Sequence, residues 1–296
     1  MQYKKLFICP DCHHKLKKRT LICPKCRFKC KEENGIYHLH SNNSAWQKCE
    51  IEKSGWIDIH KELGIYREND DHYYLPDGRP HLEVFYKEAK RSIDKLLEVE
   101  NLENKLCLDL GAGIGWVECY ILKQVESELI AVECSDDKFV GLGRSIALKK
   151  FYNCDFMSVV ADMHNIPIAD NSIDIVFMVD ALHHFTDLNK VLAEAYRVLK
   201  PGGHFWAINE AHRPENIDEL KYIQEHVPME SKHGISERRP TINEYLQAGE
   251  ILKLQVLNDK LNFIAPGLIL YGEKNGGRVS ESFYQRTMKK LRSAFK

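Results

Sequence analysis

Between positions 106 and 209 the chain alternates short apolar runs with segments of helical period, and this alternation restricts the possible fold more than any other feature. KLCLDL, LIAVE, FMSVVA, IDIVFMV and HFWAIN read as strands. WVECYILKQV, DKFVGLGRSIALKKF and LNKVLAEAYRVL read as helices. The strand runs are apolar throughout rather than alternating, which predicts burial on both faces. Buried strands joined by crossover helices form a parallel sheet with helices on either side, an α/β fold. LKLQVLN and NFIAPGLILYGE supply two further strands, and a basic helix is predicted over 280–295.

The first strand runs into GAGIGW, which puts Gly111, Gly113 and Gly115 directly behind Asp109. Glycine at this density costs chain entropy and predicts close approach to the backbone. A dinucleotide fingerprint has its third glycine three residues after the second, where Trp116 stands here. A triphosphate loop needs a Gly-Lys-Ser/Thr ending, and the first lysine after this loop is Lys123. A ligand without phosphate fits better: a zwitterionic amino-acid group on a nucleoside. Glu133 ends the second strand, where a carboxylate can accept from ribose hydroxyls. Asp162 follows the third strand, where it can accept from an adenine amino group, and Met163 can pack on the ring. The three strand ends converge on one crevice.

A second motif precedes the sheet. In ICPDCHHKLKKRTLICPKC, Cys9 and Cys12 form one Cys-x-x-Cys pair, and Cys23 and Cys26 form another. This spacing brings four thiolates around one structural zinc. Cys30 and His13 are less favoured substitutes. Some 40 residues bury too little apolar surface to fold alone, and a metal makes up the difference. Cys49, Cys107, Cys119, Cys134 and Cys154 lack metal spacing and read mainly as small buried hydrophobes.

LDLGAGIGW, IAVECS, ADMHNIPIADNSIDIVFMVDALHHF and RVLKPGG, taken in order, resemble the class I S-adenosylmethionine-dependent methyltransferases, of the type 11-like kind. The resemblance covers about a third of the chain. It implies a Rossmann-like seven-stranded sheet with one antiparallel strand near its carboxyl side. It implies S-adenosylmethionine as cofactor, with Asp109, Gly111, Gly113 and Gly115 around the methionine portion, Glu133 at the ribose, and Asp162 with Met163 at adenine. The first 40 residues are similar to the small Trm112-like zinc domain, departing from it where Gly35-Ile36-Tyr37 lacks a proline. A zinc ribbon in this place also resembles, more weakly, the large-subunit ribosomal RNA guanine N1 methyltransferases. The expected organisation is a zinc ribbon over 1–40, a linker packed on the main domain over 41–79, and the methyltransferase domain over 80–296. A cap insertion is expected at about 211–240.

Asp180, His183 and His184 close the fourth strand near the expected methyl position. If a side chain titrates in the reaction it is His184, with Asp180 second; the pair of histidines also reads as scaffold. Glu210 ends the fifth strand at the crevice rim, and His212, His233, Arg238 and Arg239 of the cap are candidates to touch an acceptor. The leading acceptor is a small molecule or a glycan. The alternatives are ribosomal or transfer RNA docked by the ribbon, and a cofactor-binding protein that recruits a partner without catalysis. Residues 1–31 carry ten Lys or Arg against Asp11 alone, and the tail from Lys274 carries seven against Glu281. These clusters read as solvated faces, or as patches drawn to phosphate or anionic lipid. No apolar run reaches the roughly 20 residues that span a bilayer, and the first residues lack a signal-peptide core. The cytoplasm is the expected location.

Overall fold

The computed structural model describes residues 2–68, 70–77, 83–260 and 267–274, together with Lys289 and Ser293. The helix predicted over 280–295 and the start of the last predicted strand lie outside the described residues. The chain begins with two cysteine knuckles and a hairpin, β1 (Lys31–Glu33) and β2 (Ile36–His38). Helices α1 (Ser44–Glu62) and α2 (Glu83–Val99) follow. The alternating region comprises β3 (Leu106–Leu110), α3 (Trp116–Leu122), β4 (Glu128–Glu133), α4 (Ser145–Tyr152), β5 (Met157–Val160), β6 (Ile173–Val179), α5 (Leu188–Val198) and β7 (Leu199–Glu210). After it come α6 (Glu219–His226), α7 (Pro228–Lys232), α8 (Ile242–Ala248), β8 (Gln255–Lys260) and β9 (Gly267–Glu273).

One sheet holds all nine strands in the order β1-β2-β5-β4-β3-β6-β7-β9-β8. Strands β3 to β7 are parallel, β9 runs antiparallel to β7, and β8 pairs antiparallel with β9. These seven are the predicted Rossmann-like sheet. Every residue of β3 is buried, as a central strand covered on both faces requires. Leu108 and Leu110 enter one core cluster and Cys107 the other, so the strand feeds both layers. Helix α5 buries Leu188, Val191, Leu192, Ala195 and Val198, one stripe at helical spacing, and Asp187 caps it by accepting from the Lys190 N–H. From β3 the order runs outward to β4 and β5 on one side and to β6 and β7 on the other. A crevice therefore opens past the carboxyl ends of β3 and β6.

The N-terminal module is built into this sheet. Strand β2 pairs parallel with β5, Ile36 opposite Ser158 and His38 opposite Val160. Phe7 bridges Ile168, and the Ile8 N–H donates to the Pro167 carbonyl at 3.0 Å. Phe7, Leu16, Tyr37 and Leu39 are buried in the same cluster as Leu108, Ile130 and Val159. The ribbon's shortage of apolar surface is thus met partly by a shared core.

Two sequence expectations change. Residues 41–79 read as irregular, yet 19 of them form α1, capped by Asn43 accepting from the Trp46 N–H. A helix was expected from Asp137, but α4 begins at Ser145. Gly141 explains the delay: a Cβ there would lie 2.4 Å from the Ser135 carbonyl oxygen, so the chain makes a tight turn first.

Candidate active site

The crevice holds a cavity of about 540 Å³. One wall is the glycine loop with the ends of β4 and β5; another is the end of β6 with the short 3-10 turn Leu182–His184. Helix α1 roofs it, presenting Ala45, Cys49, Glu52, Trp56 and His60 at helical spacing. Asp109, Gly111, Gly113, Glu133, Asp162, Met163, Asp180 and His184 all line this one space. Gly115 does not: it caps α3 with φ 83°, and a Cβ there would lie 2.7 Å from the Phe156 ring. Gly111 is likewise required by packing, 2.6 Å from the Ala181 Cβ. Only at Gly113 would a Cβ meet open space; its φ of 53° favours glycine there, and the open side faces the cavity.

The Asp109 carboxyl is buried against the Glu118 carboxyl of α3; the two share a hydrogen bond, and neither bonds any other residue. Burial, reinforced by the Glu118 charge, pushes Asp109 well above the usual carboxylate range. Burial raises Glu118 to about 7. Glu133 accepts from the N–H groups of Gly113 at 2.9 Å, Cys134 at 2.7 Å and Ser135 at 3.2 Å, and so also holds the glycine loop. A carboxylate has about four acceptor positions, so one is left for a ribose hydroxyl. Asp162 accepts from the His164 N–H and ring through Oδ1. A buried carboxyl that an adjacent cation would ionise, and a carboxylate with spare acceptor capacity, fit the ammonium and ribose of S-adenosylmethionine.

The β6 end carries a buried network. Asp180 adopts φ 54°, unusual for a residue with a side chain. Burial and the Glu210 charge raise it to about 8. Glu210, predicted at the rim, is fully buried and accepts backbone N–H bonds from Ala181, Leu182 and His183 at 3.0–3.1 Å. It also pairs with His183 Nδ1 at 2.8 Å, and it positions the turn instead of facing ligand. Burial keeps His183 well below its ordinary value. Burial would lower His184 too, but Glu237 and Glu52 outweigh it and raise His184 to about 9.

The cap candidates are occupied elsewhere. His233 pairs with Glu62 at 2.7 Å, Arg238 with Glu219 at 3.2 Å, and Arg239 with Glu237. His212 is buried outside the cavity wall. Lys232 joins His233 on Glu62, and the Ser236 N–H donates to Glu52 at 2.9 Å, so the cap is pinned to α1. Glu52, Trp56, Glu118 and Glu237 were not predicted from the sequence. The helical spacing of Ala45, Cys49, Glu52, Trp56 and His60 was the available signal for the roof.

The four N-terminal cysteine sulfurs lie within 4.8 Å of one another. Cys9 and Cys26 are 3.3 Å apart, Cys12 and Cys23 3.4 Å, and Cys12 and Cys26 3.6 Å. A tetrahedral thiolate zinc site has edges of about 3.8 Å, so the set suits such an ion. Cys30 bonds the Lys31 carbonyl and His13 bonds Asn165, outside the cluster.

Residues 108–207 match a family model described as a methyltransferase domain. A sterol 4-C-methyltransferase of Caenorhabditis elegans is 34% identical over 36% of this chain and 32% of its own length. A ubiquinone/menaquinone biosynthesis C-methyltransferase of Rickettsia typhi is 26% identical over 60% of this chain and 71% of its own. The chain thus spans about a third of the first relative. A geranyl diphosphate C-methyltransferase from Streptomyces coelicolor shares the fold, with TM-score 0.54, 13% identity, and coverage of 79% of this chain and 99% of that one. Among the described residues no helix is long and apolar enough to cross a membrane. Sheet order and family match together show that residues 108–207 of this chain form a methyltransferase domain with a Rossmann-like sheet.

Proposed function

We propose that the protein transfers the methyl group of S-adenosylmethionine to a small-molecule acceptor held beneath α1. The observation that carries this reading is the buried Asp109 carboxyl, backed only by Glu118 and facing the cavity beside an open Gly113, with the Asp180 and His184 turn as the opposite wall. Asp109 holds the methionine ammonium, Glu133 a ribose hydroxyl, and Asp162 with Met163 the adenine. When bound, the cofactor supplies a methyl already activated on a sulfonium. The chain then has to hold the acceptor at near-attack distance and exclude water, which is worth several kcal/mol. Trp56 and Phe139 supply apolar surface, while Glu52, Asp180 and His184 supply polar contacts. This suits an acceptor with an apolar body and at least one oxygen. Both relatives described above are named for carbon methylation of such molecules. A carbon or hydroxyl acceptor must lose a proton, and Asp180, raised to about 8, is the cavity group placed to receive it; His184, raised to about 9, already carries its own at neutral pH.

We assign a structural zinc to Cys9, Cys12, Cys23 and Cys26, which requires reduced thiols and so favours the cytoplasm. A glycan is the second acceptor class. The test incubates zinc-loaded protein and methyl-labelled S-adenosylmethionine with fractionated cell extract. Label in small metabolites is expected. Label confined to RNA would overturn the acceptor reading, and intact donor with no label transferred would favour a non-catalytic binding protein.

A further inference from the structure

We propose that His183, His184 and Glu237, joined by Glu52 of the roof helix, bind a first-row divalent metal ion beside the cavity. The metal binding stands on its own; its role at the acceptor rests on the methyl-transfer reading. One donor atom from each of His183, His184 and Glu237 falls within 4.8 Å of the others. His183 Nε2 is 3.6 Å from Glu237 Oε1, His184 Nδ1 is 3.3 Å from Glu237 Oε2, and His184 Nδ1 is 3.5 Å from Glu52 Oε1. A tetrahedral ion with nitrogen and oxygen ligands at about 2.0–2.2 Å sets ligand-to-ligand edges of about 3.3–3.6 Å, as His184 Nδ1 makes with Glu237 Oε2 and Glu52 Oε1, while His183 Nε2 faces the other oxygen of Glu237.

The tautomer of His183 agrees. Three backbone N–H groups donate to Glu210 and fix it as an acceptor. His183 Nδ1 therefore donates to Glu210, which leaves the lone pair on Nε2, the atom facing Glu237. A carboxylate orienting a histidine from behind is how metal-ligating imidazoles are held. His184 Nδ1 and Glu52 Oε1 are both buried without a hydrogen bond. Arg239 neutralises Oε1 of Glu237, while Oε2 faces His184. Donor atoms from three separate elements lie close together, and a cation beside His184 Nδ1 would satisfy it together with Glu237 Oε2 and Glu52 Oε1. Two imidazoles and carboxylates suit zinc, manganese, iron or cobalt better than calcium or magnesium. His184 and Glu52 also border the cavity, so the ion would anchor an acceptor oxygen next to the methyl group.

Cobalt(II) absorption tests this on the full chain, with one equivalent of zinc added first to fill the cysteine site. Wild type is expected to show the weak visible bands of nitrogen- and oxygen-bound cobalt, saturating at one further equivalent. His184→Gln and Glu237→Gln should lose those bands. Given cobalt without zinc, both variants should keep the intense thiolate bands of the cysteine site, which reports that they fold. Glu210→Gln should weaken the new site about 10- to 100-fold without abolishing it. Wild type taking up no cobalt beyond the cysteine site would overturn the proposal, as would folded variants that bind it unchanged. Calorimetry with S-adenosylmethionine separates the two readings. Cofactor binding without cobalt sinks only the metal site, and cobalt without cofactor sinks only the methyl-transfer reading.

Discussion

Asp109 and Glu118 are two buried carboxyls whose one partner is each other, and both are raised by burial. A group whose pKa is higher in the folded state stabilises below its unfolded value and loses that contribution as pH rises through the folded one. For Glu118 the window runs from its ordinary value near 4.5 to about 7. The melting temperature of the ligand-free protein should therefore fall relative to Glu118→Gln across this range. Thermal melts of the two proteins in matched buffers read the difference; parallel curves would contradict it. The ammonium of the cofactor needs Asp109 charged, so affinity for S-adenosylmethionine should rise with pH in wild type. Asp109→Asn should weaken binding about 10- to 100-fold, the loss of one charge-assisted hydrogen bond, in equilibrium binding at neutral pH.

Helix α1 roofs the crevice on one side, and one glycine sets how closely the cap approaches it. A Cβ on Gly55 would lie 2.7 Å from both the His233 carbonyl oxygen and Ile235 Cγ1. Gly55→Val should push the cap off the roof. The acceptor KM should rise at least several-fold while affinity for S-adenosylmethionine changes less than about twofold, since the cofactor wall is made by other elements. Steady-state kinetics beside calorimetry separate the two effects, and an equal loss in both would contradict the assignment of the roof to the acceptor. The alternating elements were legible in the sequence because each strand is apolar throughout and each helix carries a stripe, as α5 does. The carboxylates at the ends of β3, β4 and β5 were legible because the strand order places them together. The roof was not, because polar Lys48 and Glu52 interrupt the apolar stripe of α1. Glu237 was not legible for a different reason: it reaches His184 only through the tertiary course of the cap.

At the scale of the whole molecule, the cysteine cluster and the cofactor wall are mechanically joined. The Asn165 amide donates to the Pro10 carbonyl at 2.8 Å, and His13 Nε2 pairs with Asn165 Oδ1 at 2.8 Å. Pro10 lies between the first two cysteines, and Asn165 closes the loop that begins at Asp162. Strand β2 meanwhile pairs along β5, which carries that loop. Removing zinc with a chelator, or Cys12→Ser, should lower the melting temperature by at least about 5 °C. It should also weaken S-adenosylmethionine binding by distorting the adenine end; unchanged affinity in the metal-free protein would show that the modules are independent. The cysteine motif was legible from spacing alone, whereas its insertion into the sheet depended on pairings of β2 and Phe7 that no local pattern announces. The most direct test of the account is calorimetric titration of zinc-loaded protein with S-adenosylhomocysteine, whose ammonium, ribose and adenine meet the same contacts. The account predicts saturable one-to-one binding that Asp109→Asn weakens at least about 10-fold. A folded, zinc-loaded protein that gives no binding heat over a range of temperatures, or an Asp109→Asn variant that binds as wild type does, would contradict it.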